Sequence, residues 1–99
     1  MAIAARIPPT VRFRCGELVV STGVKTLMVY RRFDPRPFLL RHLRGEWGNI
    51  DQEQWLANER ALLDGNALTS AYELSGSRIL SITTEADRSM TKVMLLEEG

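Results

Sequence analysis

Residues 67–96, ALTSAYELSGSRILSITTEADRSMTKVMLL, are the stretch whose reading decides the fold. Apolar and polar residues alternate through it with a period of two, the mark of strands with one buried face. Ala67–Leu74 carries Leu68, Tyr72 and Leu74 on one face, and Arg78–Thr84 carries Leu80 and Ile82. Met90–Leu96 resumes the pattern. Ser75-Gly76-Ser77 has the composition of a short hairpin turn. Glu85-Ala86-Asp87-Arg88-Ser89 breaks the pattern a second time, with two acids, a base and a hydroxyl. Three strands joined in this way predict an antiparallel meander.

Upstream the period changes to that of helices. Asp51 caps a helix expected from about Gln52 to Leu63, with Gln54 placed as in a capping box and Gly65-Asn66 as the stop. Asp34-Pro35 starts another, Pro35–Leu43, which puts Phe38, Leu39, Leu40 and Leu43 on one side and Arg41 and Arg44 on the other. Ser21 or Thr22 caps a first helix of about Val24–Arg32. Before it, Val11, Phe13 and Cys15 alternate with Arg12 and Arg14, and Glu17–Val20 continues as an apolar run. This predicts a strand, or two short ones bent at Gly16. The expected class is α+β: an N-terminal strand, three short helices and a C-terminal three-stranded antiparallel meander with the helices on one face. Residues 1–10, with Pro8-Pro9, read as a flexible lead-in to a single domain spanning 11–99.

Bulk properties exclude several classes of function. The chain has 99 residues, 44% hydrophobic and 25% charged, which is ordinary for a globular domain. Its net charge of +1 fits neither an acidic mimic of DNA nor a basic coat for it. No apolar run approaches the ~18–20 residues of a membrane span, and MAIAARIPPT lacks the apolar block of a secretory signal. The expected compartment is therefore the cytoplasm. Cys15 is the only cysteine and His42 the only histidine, which rules out the usual four-ligand zinc site. No cofactor is expected. Monomer and homodimer both stay open.

RHLRGEWGNIDQEQWLANERALLDGNALTSAYEL, residues 41–74, and ITTEADRSMTKVMLLEE, residues 82–98, carry a set of short motifs. They are Arg41-His42 with Trp47-Gly48, Ala57-Asn58 with Ala61-Leu62, Ser70-Ala71-Tyr72, and Thr84 through Ser89. As a set they resemble a family of small proteins encoded on plasmids, phages and integrative elements, often labelled "plasmid-related protein" or a type I restriction subunit. The resemblance covers roughly residues 16–97 and implies a mobile-element setting. It brings no catalytic residues with it. A methyltransferase subunit would need a far larger cofactor domain and a Gly-rich strand-to-helix turn, which this chain lacks. The setting points to a host or defence-system protein as partner, with restriction or CRISPR components as candidates.

Trp55, Leu56 and Leu63 depart from that pattern, because the family carries charged or polar residues there. They lie within about 100° of one another on the third helix. Two rolls of the helix are open. In one the three side chains are core, as large apolar residues usually are. In the other they face outward as a partner-binding patch, rimmed by Arg41 and Arg44. Glu59 lies on the same arc and is expected to need a charged partner only if the arc is buried.

Three chemistries remain as alternatives. Arg31, Arg32, Arg36, Arg41 and Arg44, opposed only by Asp34, could grip nucleic-acid phosphate or simply form a solvated face. Glu85 and Asp87 could serve a small metal-dependent hydrolase or nuclease, although a hairpin tip offers little burial to tune them and turn-setting is the simpler role. His42 sits between Phe38 and Leu39 on the helical wheel, where a core or rim histidine is expected more than a base. No Ser or Cys at short spacing accompanies it.

Overall fold

A computed structural model describes residues 11–98; the lead-in expected over residues 1–10 lies outside the described residues. Four strands and three helices follow in the order β1 (Glu17–Val20), α1 (Thr22–Tyr30), α2 (Arg36–Leu43), α3 (Gln52–Asp64), β2 (Leu68–Glu73), β3 (Ile79–Thr84) and β4 (Met90–Leu95). The class is α+β. No described helix is long and apolar enough to cross a membrane.

The helix starts follow local capping chemistry. Ser21 Oγ accepts the amide of Val24 at 3.2 Å, so α1 begins at Thr22, two residues before the expected start, and ends at Tyr30. Asp34 Oδ1 accepts the amide of Arg36 at 3.0 Å ahead of α2. Asp51 accepts the amide of Gln54 at 2.8 Å ahead of α3, and Gly65 closes that helix. Only half of the capping box forms, because the Gln54 side chain donates to Asn58 instead of reaching back.

The strands require a correction. β2–β3 and β3–β4 are antiparallel, but they do not make a sheet by themselves. β1 pairs in parallel along β4, giving a mixed four-stranded sheet of order β1-β4-β3-β2. The amides of Glu17 and Ser21 donate to the carbonyls of Ser89 and Val93, each at 2.9 Å, so β1 satisfies an edge that β4 would otherwise expose.

A second correction concerns residues 11–15, which alternate without forming a strand. Their backbone is used elsewhere. The Arg12 amide donates to the carbonyl of Leu43 at the end of α2, at 2.7 Å, and the Cys15 carbonyl accepts the hydroxyl of Thr91, also at 2.7 Å. Gly16 then turns the chain with φ +68°. A Cβ at Gly16 would collide with the backbone of Arg88 and Ser89.

Strand register sets three inward rows: Leu68, Thr84 and Thr91; Ser70, Ile82 and Val93; Tyr72, Leu80 and Leu95. All nine are buried. Val24 of α1 joins Tyr72, Leu80, Ile82, Val93 and Leu95 in the larger core, with Phe38 and Leu39 of α2 packed on it. Ala61 of α3 joins Trp47 and Leu68 in the smaller one. The three helices thus cover the same sheet face.

Candidate interaction surface

The outward face of α3 is built by the helix's own roll. Asn58 and Ala61 are its buried residues, and Asn58 is tied down by the sheet edge. Its Oδ1 accepts the amide of Thr69 at 3.1 Å and its Nδ2 donates to the Thr69 carbonyl at 2.7 Å. The side chain acts as a piece of neighbouring strand. Leu56 and Leu63 are carried to the opposite side and Trp55 to its flank, and they stand 50%, 87% and 46% exposed. The roll that makes them core is thereby excluded.

Glu59 corrects the criterion attached to it. The arc is exposed, yet Glu59 is fully engaged. Arg12 donates to both its carboxylate oxygens, at 3.1 and 3.0 Å, and the indole N–H of Trp47 donates to Oε2 at 2.9 Å. The Arg12 guanidinium first, and the indole after it, hold the carboxyl below its usual range. Glu59 sits on the rim between two layers: below it is a buried Trp47, beside it an exposed α3 face.

The arginines expected at the rim stand elsewhere. Arg41 lies 3.6 Å from Glu46 and places its guanidinium over the Tyr72 ring, 4.7 Å from the centroid. Arg44 is exposed at the end of α2. No hydrogen bond or ion pair joins either to α3 among the described residues. The guanidinium that pairs with an acid of α3 belongs to Arg12, which the alternating pattern placed in a strand. The wider cluster is also divided. Arg36 is chelated by Asp34, with Nε and Nη2 each 2.9 Å from a carboxylate oxygen. Arg31 and Arg32 are exposed and make no ion pair among the described residues.

Glu85 and Asp87 are both exposed at the β3–β4 turn. Asp87 Oδ1 accepts the amide of Ser89 at 2.9 Å, and the contacts with Ser89 hold its carboxyl below the usual range. That is turn chemistry and the opposite of what a general acid needs. The working residue of the loop is Arg88. Its guanidinium donates to the carbonyls of Asn66, Glu85 and Ala86, and to Ala61 at the end of α3. It rivets the turn to the helix. Among the described residues no three His, Cys, Asp or Glu side chains gather as a ligand set.

His42 is fully buried and joins a hydrogen-bonded chain that sequence spacing could not show. Its Nδ1 meets Ser70 Oγ, and its Nε2 lies 2.9 Å from Thr84 Oγ1. Thr84 meets Thr91 at 2.7 Å, and Thr91 donates to the Cys15 carbonyl at 2.7 Å. Proton counting orders the chain. The one hydroxyl proton of Thr91 goes to Cys15, so Thr84 donates to Thr91, Nε2 donates to Thr84, and Nδ1 accepts from Ser70. The imidazole is neutral, and burial pushes its pKa down to about 4. Phe13 and Trp47 pack their rings on it at 5.2 and 5.6 Å. Ser70 and His42 have the residue types of a nucleophile and its base, but both are completely buried, so no substrate reaches them.

Trp47 and Gly48 close the β2 edge. Ala71 donates to the Trp47 carbonyl at 3.2 Å and accepts from the Asn49 amide at 2.6 Å. Gly48 has φ +80°, and a Cβ there would overlap the Ala71 carbonyl. The comparisons with known proteins give no match: no protein-family model, no curated protein and no solved structure matches the chain.

Proposed function

We propose that the protein acts by docking onto another protein, without bond-making, through the outward face of α3. The observation that carries this reading is the exposure of Trp55, Leu56 and Leu63 on one helix whose opposite side is anchored in the sheet. An exposed Trp flanked by aliphatic side chains is the composition of an interface centre, and the Arg12–Glu59 pair supplies a polar rim. The face is held rigid by Asn58 and Arg88, so little ordering entropy is lost on docking. The motifs shared with the mobile-element family support a host or defence-system protein as the partner, with inhibition by occlusion as the mode of action.

Phosphate binding by the Arg31–Arg44 segment is the weaker reading, because Arg36 and Arg41 already have acidic partners. The test is retention from a nuclease-treated host lysate on the immobilised protein. A protein retained by the wild type, lost with Trp55→Ala and with Leu63→Glu, and kept with Arg44→Gln supports the reading. Equal retention by wild type and Trp55→Ala, or retention that disappears on nuclease treatment, overturns it.

A further inference from the structure

At the other end of the sheet from α3, a cleft of about 420 Å³ opens between the C-terminal end of α1 and the β2–β3 turn. Its floor is Leu27, Phe33 and Leu74, all partly buried and packed against the larger core. Phe33 is braced from behind by Phe38, with ring centroids 5.8 Å apart. The floor is therefore rigid and apolar. Its walls are of a different kind. Arg31, Arg78, Ser75 and Gly76 complete the lining. Among the described residues no acidic side chain lines the cleft.

The charge on those walls is only partly matched. Arg31 has no ion pair among the described residues. Arg78 Nε is 3.9 Å from Glu97, a long and solvent-exposed contact of the kind that contributes little. A second cleft shares Leu74 and Arg78 but includes the acidic Glu73 in its lining. The first cleft has two guanidiniums, one of them unopposed, above an apolar floor of a size that takes a small organic ligand.

We infer that this cleft binds a small organic acid: a carboxylate joined to an apolar, ring-sized body. The guanidinium fork suits a carboxylate, and the body fills the Leu27–Phe33–Leu74 floor. A neutral apolar compound would leave the guanidiniums unanswered, and a bare anion would leave the floor wet. This site is separate from the α3 face, and its failure leaves the docking proposal untouched.

The test is amide NMR titration of the full chain with 2-naphthoate, 2-naphthamide and acetate. Naphthoate is expected to shift the signals of Arg31, Ser75 and Gly76. Naphthamide, the neutral isostere, is expected to bind about tenfold more weakly, the worth of one charge-assisted hydrogen bond. Acetate is expected to leave those signals unmoved at the same concentration. Arg31→Gln is expected to weaken naphthoate about five- to tenfold while the exposed, remote Arg44→Gln leaves it unchanged. Equal binding of naphthoate and naphthamide, shifts centred elsewhere, or an unaltered affinity in Arg31→Gln overturns the inference. Tighter binding of a peptide ending in a free phenylalanine carboxylate would also overturn it, by assigning the cleft to a polypeptide terminus.

Discussion

The two ends of the sheet are held by different forces. Toward α1, the rows built on Tyr72, Leu80 and Leu95 and on Ile82 and Val93 meet Val24, Phe38 and Leu39 in an almost purely apolar core. Toward α3, the row of Leu68, Thr84 and Thr91 meets His42 and Ser70, and five polar side chains or backbone groups run in one hydrogen-bonded file from Ser70 to the Cys15 carbonyl. The first end is non-directional and proportional to area. The second demands that each proton point one way. The apolar end should therefore respond to lost volume, and the polar end to lost hydroxyls even when volume is kept.

Leu80→Ala gives the largest expected effect at the apolar end. Leu80 is fully buried between Tyr72 and Leu95, and its truncation is expected to cost about 3 kcal/mol. Leu80→Met, which keeps the volume, is expected to cost about 1 kcal/mol or less. Urea unfolding of both variants reads the difference. Similar losses for the two would mean that this end depends on shape and not on area. The polar end should reverse the pattern. Thr84→Val keeps the volume but removes the hydroxyl that accepts from His42 and donates to Thr91, and is expected to cost about 2 kcal/mol. A loss as small as that of Leu80→Met would mean that the file is ornamental to stability.

This contrast separates what the sequence made legible from what it concealed. Asp51, Ser21 and Asp34 were legible because a cap acts within three residues of itself. The inward positions of β3 were legible because Leu80 and Ile82 alternate with polar neighbours. The polar file was not, because His42, Ser70 and Thr84 meet only after α2 is laid on a sheet in register. Glu98 was missed for the same reason: its carboxylate accepts from Ser21 Oγ and the Gly23 amide, 77 and 75 positions away, and so caps α1 from the end of the chain. The Val11–Cys15 alternation misled because an alternating pattern describes side chains and says nothing of where the backbone bonds go. On α3, periodicity grouped Trp55, Leu56 and Leu63 correctly but could not choose the roll; Asn58 chooses it. The short motifs of residues 41–74 and 82–98 are largely scaffold, since His42, Trp47, Gly48, Asn58, Ser70, Thr84 and Arg88 all position backbone or core.

Acid should weaken the polar end first. The folded state holds His42 at a pKa of about 4, below its ordinary value of 6.5, so between these values the unfolded chain binds the extra proton. Stability therefore falls as pH falls from 6.5 toward 4. The expected loss from pH 6.5 to 5 is about 1–2 kcal/mol, since each unit of pKa difference is worth about 1.4 kcal/mol. The depressed carboxyls of Asp34, Glu59, Asp87 and Glu98 lose their contributions only as pH falls below their ordinary values of 3.8 and 4.5, so they leave that window to His42. His42→Gln should flatten the slope between pH 6.5 and 5, whatever it does to stability at pH 7. An unchanged slope would place the protonation elsewhere.

The smallest expected effect falls on the helix that covers the polar end. α3 is tied to the sheet by Asn58, Ala61 and the Arg88 guanidinium, none of which involves its outer side chains. Leu63→Lys is therefore expected to change unfolding stability by no more than about 0.5 kcal/mol, as for an ordinary surface position. Trp55→Ser is expected to cost more, about 1–2 kcal/mol, because just over half of the indole is covered. A loss from Leu63→Lys as large as that of Thr84→Val would show that this side chain supports the fold, and the helix face would then have a structural reason to be apolar. A negligible loss leaves Leu63 facing water with no role in folding, which is the outcome the docking proposal needs.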